Sequence, residues 1–364
     1  MRAVGSRREV SAPGSPRTLD LPVGTSTQQG RGRTPARAPS GRRFELGAVI
    51  LNFQTPALVI DCLASLVDQI DPTRAGIVAV DNASGDKSLQ TIANAIRERR
   101  WDGRVWLVSA DRNDGFSAGN NLGIKSIDAD AYLLLNSDTI VRPGAVQALL
   151  EAAARNPKAG IIGPRLEWPD GTAQRSAFRN PTLIDEFLDA AATGPLTRLL
   201  RRYEEPTPIT DDPVEPEWTS FACVLLRREM IEEIGPLDES FFMYLEDVDY
   251  CRRARRAGWR VLHWPTARVV HLRGASSPVK QAIVSRSRPP AYYYLSRSRY
   301  FAKFYGTPGL WLANLLWLAG RTISFAREFW GNKERHTCER QWFDIWRNAL
   351  TPLRPPRAAP GKRQ

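Results

Sequence analysis

The sequence predicts an α/β layered fold in which a mainly parallel central sheet is flanked by helices. Three observations lead to it. Short apolar runs alternate with amphipathic segments from Leu46 to Asn156. The links between them are short, and the runs are apolar throughout, as in strands covered on both faces. Finally, four successive runs end in Asn or Asp. Sheets of this kind bind ligands beyond the carboxyl ends of their strands, so those polar tips are where a site is expected.

The elements follow in order. "LGAVILNFQT" is a buried strand ending at Asn52. "TPALVIDCLASLVDQ" is a helix with Thr55 as N-cap and Pro56 at its first position, and Leu58, Cys62 and Leu66 share one face. "GIVAV" is the second strand, closing on Asp81 and Asn82; "SLQTIANAIRERR" is a helix; "VWLVS" is the third strand, running into "ADRNDGFSAGNNLG". A helix from about Ser117 to Lys125, the strand "AYLLLN" ending in Asn136 and Asp138, and the helix "PGAVQALLEAAARN" complete the series. Residues 160–217 are rich in Pro and charge with weak periodicity, and read as a flap or inserted loop. "EWTSFACVLLRREMIEEIG" reads as a core strand entering a helix stopped by Gly235. "MYLEDVDYCRRARRAGW" starts a helix with Glu246, Asp247 and Asp249 and ends it near Gly258. The segment 291–350 is aromatic; Leu310–Gly320 is too short to span a bilayer and fits an interfacial amphipathic helix, although packing of these aromatics on the α/β core is an equally simple reading.

Composition narrows the function classes. The chain of 364 residues carries a net charge of +12, but the termini hold most of it: residues 1–42 have eight Arg against Glu9 and Asp20, and residues 351–364 add four basic side chains. The Arg-, Pro-, Gly- and Ser-rich stretch 1–42 has no signal-peptide apolar run and reads as a disordered basic arm, and 351–364 as a basic disordered tail. Between them, 43–248 is acidic and 249–350 basic, a polarity suited to an anionic membrane surface or a pyrophosphate. No base-stacking module accompanies the charge, so a nucleic-acid partner is not expected. Cys62, Cys223, Cys251 and Cys338 are widely spaced, which speaks against a disulfide framework and fits a reducing, cytoplasmic compartment.

Several residues could carry chemistry. Gly115, Gly119 and Gly123 are spaced by four, which is neither the dinucleotide fingerprint nor a P-loop, but lets backbone approach a ligand. Asp138 at a strand end is a natural ligand for Mg²⁺ or Mn²⁺, cations that prefer oxygen and bridge to substrate phosphates. With three His in the chain, a His-rich zinc site is excluded. His271 closes the strand "ARVVH"; it is either structural or a partner for Mn²⁺ or a phosphate oxygen.

"VILNFQT", "AVDNASGDKS", "NDGFSAGNNLG", "LLLNSDTIV", "FFMYLEDVDYCRRARRAGWRV" and "ARVVHLRGAS" stand in the order seen in family 2 glycosyltransferases, and over residues 46–275 the chain most resembles their bacterial rhamnosyltransferase-like branch. The resemblance implies a GT-A fold over 43–290 with a helical extension over 291–350, a nucleotide-sugar donor, Mg²⁺ or Mn²⁺, and inversion at the anomeric carbon. By position, Asp81 resembles the acid that binds base or ribose, and Asn136-Ser137-Asp138 the DXD-type motif with Asp138 on the metal. His271 looks like the histidine that joins the metal and Asp247 like the general base, so the acidic helix start is expected to be catalytic as well as structural. Asn52, Asp81, Asn82, Asn113, Gly115, Gly119 and Asn136 are candidate donor-binding residues, and Trp218 and Glu246 candidate acceptor contacts; Asp249 is expected to pair with Arg253.

The implied reaction moves a sugar, with L-rhamnose from dTDP-rhamnose the first choice, onto a cell-envelope glycan or polyprenyl-pyrophosphate-linked acceptor at the inner face of the cytoplasmic membrane. UDP-galactofuranose, UDP-N-acetylglucosamine or UDP-glucose are alternative donors, and a non-catalytic sugar- or membrane-binding relative is the reading from another class. Three positions depart from the family pattern: Asn136 replaces the first acid, Ser137 stands where this branch often has Pro, and Phe221 where relatives usually have Gly.

Overall fold

The computed structural model describes residues 41–193, 209–272, 278–331 and 335–354. The arm expected over 1–42 lies outside them save for its last two residues, as does the tail beyond Arg354 and the 194–208 part of the segment 160–217.

An eight-stranded sheet forms the middle of the fold. Its strands are β1 (Arg43–Asn52), β2 (Ala75–Asp81), β3 (Val105–Ser109), β4 (Asp128–Asn136), β5 (Thr139–Val141), β6 (Ala159–Glu167), β9 (Cys223–Arg227) and β10 (Arg260–His271); β7 (Ala177–Phe178) and β8 (Trp218–Thr219) make a separate two-stranded sheet. The order is β3-β2-β1-β4-β9-β6-β10-β5. β9 runs antiparallel between β4 and β6, and β5 antiparallel along β10; the remaining pairings are parallel. The mainly parallel α/β sheet expected from the sequence is therefore present, and the tips of β1, β2 and β4 meet at one edge.

Alternate residues of these strands feed two apolar layers. Ile50, Leu133 and Leu135 face α1 (Pro56–Val67), α2 (Ser88–Glu98) and α4 (Ala145–Arg155), burying Leu63, Leu66, Ile92 and Leu149. Val49, Val78 and Leu134 face the other way, towards α3 (Phe116–Lys125), α6 (Arg228–Ile234) and α7 (Glu246–Arg256), with Met230, Phe241, Val248 and Tyr250. Thr55 does occupy the N-cap of α1, but its hydroxyl does not cap; it donates to Ser137 Oγ at 2.9 Å, because the loop from β4 passes within reach.

The flap expected from residue 160 onward is corrected. Residues Ala159–Glu167 are a buried strand inside the sheet. Pro164 argues against a central strand because it cannot donate to the ladder, yet here it costs little. Pairing of β6 with β9 is confined to Ile161 and Ile162, and β10 shifts register between Trp264 and Arg268, opposite Pro164. A helix, α5 (Leu183–Ala191), follows, opened by a capping box between Thr182 and Asp185.

After α8 (Pro278–Ser285) comes α9 (Ala291–Trp330), bent at Gly306, whose φ of +74° is non-helical, with Pro308 opening the second half. α9 lies against α5. Arg297 donates from Nε and Nη2 to the two carboxylate oxygens of Glu186 at 3.0 and 2.7 Å, and from Nη1 to Asn314 at 2.7 Å. Tyr300 and Tyr305 both donate to Pro181 O, at 2.9 and 3.0 Å. Removing one partner of a buried ion pair leaves the other uncompensated, at about 3–5 kcal/mol. Glu186→Gln is therefore expected to lower the stability measured by urea unfolding by that order, and the double variant Glu186→Leu/Arg297→Met to recover most of it.

Candidate active site

Two cavities open at the carboxyl edge of the sheet and share Phe116, Asn136, Asp138 and Met243. One, of about 560 Å³, runs along the tips of β1 and β2 past Asn82, Asn113, Gly115 and Tyr292. The other, of about 400 Å³, holds Trp218, Glu246, Asp247 and His271.

Strand-end polar groups build the first. Asn82 Nδ2 donates to Asn113 Oδ1 at 3.0 Å and Gly115 O at 3.1 Å, and Gly115 N donates to Asn113 Oδ1 at 2.9 Å, which fixes the loop before α3. Gly115 has φ +94°, and a Cβ there would stand 2.1 Å from Phe242 O, so only glycine fits this turn. Asn52 and Asp81 line neither cavity. Asn52 Nδ2 donates to Asp81 Oδ1 at 2.7 Å, Ser84 Oγ donates to the same oxygen at 2.5 Å, and Thr55 N donates to Asn52 Oδ1 at 3.2 Å. The pair ties the tips of β1 and β2 together, both side chains buried. Gly119 faces a neighbouring surface groove with Asn82.

Asp138 and His271 meet where the cavities join. β10 pairs with β5 so that His271 stands opposite Thr139, and Leu272 N donates to Asp138 O at 2.9 Å. The ring's Nε2 lies 3.4 Å from Asp138 Oδ1, and both side chains are buried. Burial would raise the Asp138 carboxyl, but its hydrogen bond and charge interaction with His271 prevail and hold it below the ordinary carboxylate value. His271 Nδ1 is buried without a partner. Among the described residues no group of three or more His, Cys, Asp or Glu could hold a metal ion, so a cation here would have two protein donors and need others.

Asp247 comes from the start of α7. The turn before it is strained: Tyr244 and Leu245 have φ of +73° and +67°, a region costly for residues with a Cβ. That turn aims the first residues of α7 into the cavity. Burial pushes the Asp247 carboxyl up to about 6, against the backbone N–H groups of Val248 and Phe221 that favour its charge. Glu246 is pushed well above its usual range by burial and then by the neighbouring Asp247, and its Oε2 has no partner. Asp249 faces away, its Oδ2 accepting from Arg253 Nε at 3.0 Å and its Oδ1 lying 2.7 Å from Lys303 Nζ.

The opposite wall holds residues that the sequence did not reveal. Asp185, Glu186 and Asp189 come from α5, and Tyr293, Arg297, Tyr300 and Phe301 from α9. Among the described residues Asp189 has no hydrogen-bond or ion-pair partner; it is exposed at the cavity, yet burial by the protein around it, then Glu186 and Asp185, push its carboxyl up to about 7. The capping box at Thr182 was the signal for this helix; no local pattern reports that its acidic side lines the cavity. Tyr244 stacks on Tyr292 and meets Tyr293 edge-on, closing the wall between the start of α9 and the strained turn.

Comparison with known proteins identifies the family. The model of the glycosyltransferase-like family 2 matches residues 43–288. The chain belongs to that family. It is 34% identical over 259 residues, 66% of this chain and 78% of the other, to the N-acetylglucosaminyl-diphospho-decaprenol L-rhamnosyltransferase of Mycobacterium tuberculosis. It is 29% identical over 261 residues to the O-antigen biosynthesis protein RfbC of Myxococcus xanthus, covering 70% of this chain and 19% of that protein. The crystal structure of GalNAc-T7 with UDP, GalNAc and Mn²⁺ superposes with a TM-score of 0.51 at 15% identity, over 85% of this chain and 58% of that one, which shows the fold. The protein is thus a GT-A glycosyltransferase of the rhamnosyltransferase-like branch, as its motifs imply.

A carboxyl at about 6 in the fold, against 3.8 as its ordinary value, binds its proton more tightly folded than unfolded. Ionising Asp247 therefore costs stability, increasingly as pH rises from about 4 to about 6 and constantly above. Asp247→Asn is expected to melt higher than wild type at pH 7 and at the same temperature near pH 4, read by calorimetry at both.

Proposed function

We propose that this glycosyltransferase inverts the anomeric carbon it attacks, with Asp247 as the base that takes the acceptor hydroxyl's proton. The observation that carries the reading is the placing of Asp247 on one cavity wall and of Asp138 and His271, from two other elements, near the junction with the second cavity. A single in-line displacement needs one carboxylate on the acceptor side and charge-stabilising groups on the leaving-group side. No second carboxylate nucleophile is required.

The cavity along β1 and β2 is the donor side in this reading. Asn82, Asn113 and the Gly115 backbone meet the nucleoside, and Asn136 and Asp138 the diphosphate at the junction. Gly119 serves by holding α3 close to the strand tips, and Asn52 and Asp81 by tying the tips of β1 and β2 together. Asp138, a hard oxygen donor, and His271, an imidazole donor, would hold Mg²⁺ or Mn²⁺, which when bound would neutralise charge on the departing nucleoside diphosphate. Asn136, in place of an acid, keeps the protein's own charge there low. On the acceptor side Asp247 must be ionised. Glu246 Oε2, unpartnered, accepts a hydrogen bond from an acceptor hydroxyl, and Trp218 shapes the wall while its Nε1 donates to Arg179 O at 2.7 Å.

The mycobacterial relative's name supports L-rhamnose as the sugar and a polyprenyl-diphosphate-linked saccharide as the acceptor; dTDP-rhamnose as donor, used at the inner face of the cytoplasmic membrane for cell-envelope glycan, completes the proposal. Residues 43–290 are the catalytic unit in this proposal and 291–350 the extension that closes its acceptor side.

The test is nucleotide release from dTDP-rhamnose, UDP-galactofuranose, UDP-N-acetylglucosamine and UDP-glucose with membrane lipid extract as acceptor, in Mg²⁺, Mn²⁺ or EDTA. Lipid-dependent release from dTDP-rhamnose is expected, lost in EDTA and reduced about 10²–10⁴-fold in Asp247→Asn. The wild-type rate is expected to rise with pH through about 6, where Asp247 ionises. Release from another donor alone would replace the sugar assignment, and release unchanged by Asp247→Asn would remove the base.

A further inference from the structure

The helix Ala291–Trp330 changes character at the Gly306 bend. Before it, Tyr294, Arg297, Tyr300 and Phe301 are buried against the catalytic cavity and α5. Beyond it, Leu310, Ala313, Trp317 and Gly320 face inward, Gly320 so closely that a Cβ would stand 2.4 Å from Phe187 O. The outward face is the unusual one. From Pro308 to Trp330 every exposed residue is uncharged, and Thr322 is the one polar side chain among them. At 100° per residue, Trp311, Leu315 and Phe329 share one line and Leu312, Ile323 and Trp330 the next, with Phe329 75% and Trp330 81% exposed. An outward stripe of this kind is the reverse of a helix packed on a soluble core.

A second segment extends the same plate. Trp311 Nε1 donates to Ala349 O at 2.9 Å, which sets the stretch around α10 (Gln341–Asp344) beside the helix. Trp342, Phe343, Trp346 and Leu350 are exposed there, Leu350 by 85%. Arg335, Arg340 and Arg354 are exposed in the same segment, against Glu339, and the sequence continues through Arg357, Lys362 and Arg363 without an acid.

We propose that this plate is a monotopic membrane-docking surface, with the helix beyond Gly306 lying in the plane of an anionic bilayer and its Phe, Leu and Trp side chains among the lipids. Among the described residues no helix is long and apolar enough to cross a membrane, so the helix lies on the bilayer rather than through it. Exposed tryptophans match the interfacial depth of a bilayer, and the exposed arginines its negative headgroups. A second copy fits less well, since a two-fold interface sets each patch against itself and would bring the exposed arginines together. The docking rests on the exposed plate alone; its purpose rests on the lipid-linked acceptor proposed above. One helix would then carry both the acceptor cavity wall and the lipid contact, so an acceptor sugar on a polyprenyl diphosphate reaches Asp247 while its lipid stays in the bilayer.

Flotation of the full chain with vesicles of phosphatidylcholine, with or without phosphatidylglycerol, tests this. The wild type is expected to float with anionic vesicles, and Phe329→Glu/Trp330→Glu to bind them about tenfold or more weakly at an unchanged melting temperature. Quenching of tryptophan fluorescence by brominated lipid, diminished in Trp330→Phe, reads the contact directly. A wild type that stays unbound, or a stable dimer that the double substitution splits without any vesicle effect, overturns the proposal. Release of nucleotide with lipid extract but no flotation would overturn docking and leave the transferase standing. Flotation without release would uphold docking and count against the acceptor reading.

Discussion

β10 must reach the edge strand β5 in one register, with Val270 opposite Ile140 and His271 opposite Thr139. Side chains alternate along a strand, so a slip of one residue would send the His271 ring to the other face and leave Asp138 alone. The register is held from both sides. Buried Val269 belongs to the apolar layer beneath α4, Leu272 N bonds to Asp138 O, and Gln174 Nε2 donates to His271 O at 2.7 Å. Two side chains distant in the chain, Asp138 and His271, meet because the apolar pattern of β10 favours this register.

Around that junction the fold concentrates features that stability alone would not select. Two successive left-handed residues precede α7, Glu246 and Asp247 are crowded into a cavity wall, and Asp185, Glu186 and Asp189 face them from α5. The compensation lies outside the cavity. Asp249 is neutralised by Arg253 and Lys303, and Glu186 by Arg297, while the apolar layers hold the strained turn in place. Burial first, and for Glu246 and Asp189 the neighbouring carboxylates after it, raise the carboxyl pKa values of this wall.

The bent helix joins these parts. Its first half lines the cavity that holds Asp247, and its second half presents an uncharged outer face beside the Trp342–Leu350 segment. The bend at Gly306 and Pro308 lets one continuous element pack along the cavity with its first half and show an uncharged outer face with its second.

The strand–helix alternation, the acidic start of α7 and the polar strand tips were legible in the sequence because each is a local pattern: periodicity, a cap, a turn residue at the end of an apolar run. The family motifs carried the GT-A fold for the same reason, being short ordered blocks. Other features depended on the folded chain. Pro164 hid a central strand, since only the bulge in β10 shows how the sheet tolerates it. Asn52 and Asp81 look like rim residues from their strand-end positions, but they are buried in a mutual hydrogen bond and line neither cavity. The acidic side of α5 gained its place on the cavity from packing against α9, a contact between segments that no spacing reports. The aromatic C-terminal region likewise divided into buried and exposed halves only when the helix bent. Local chemistry is written in the order of the residues; which faces meet, and which remain open, is decided by burial of the whole chain.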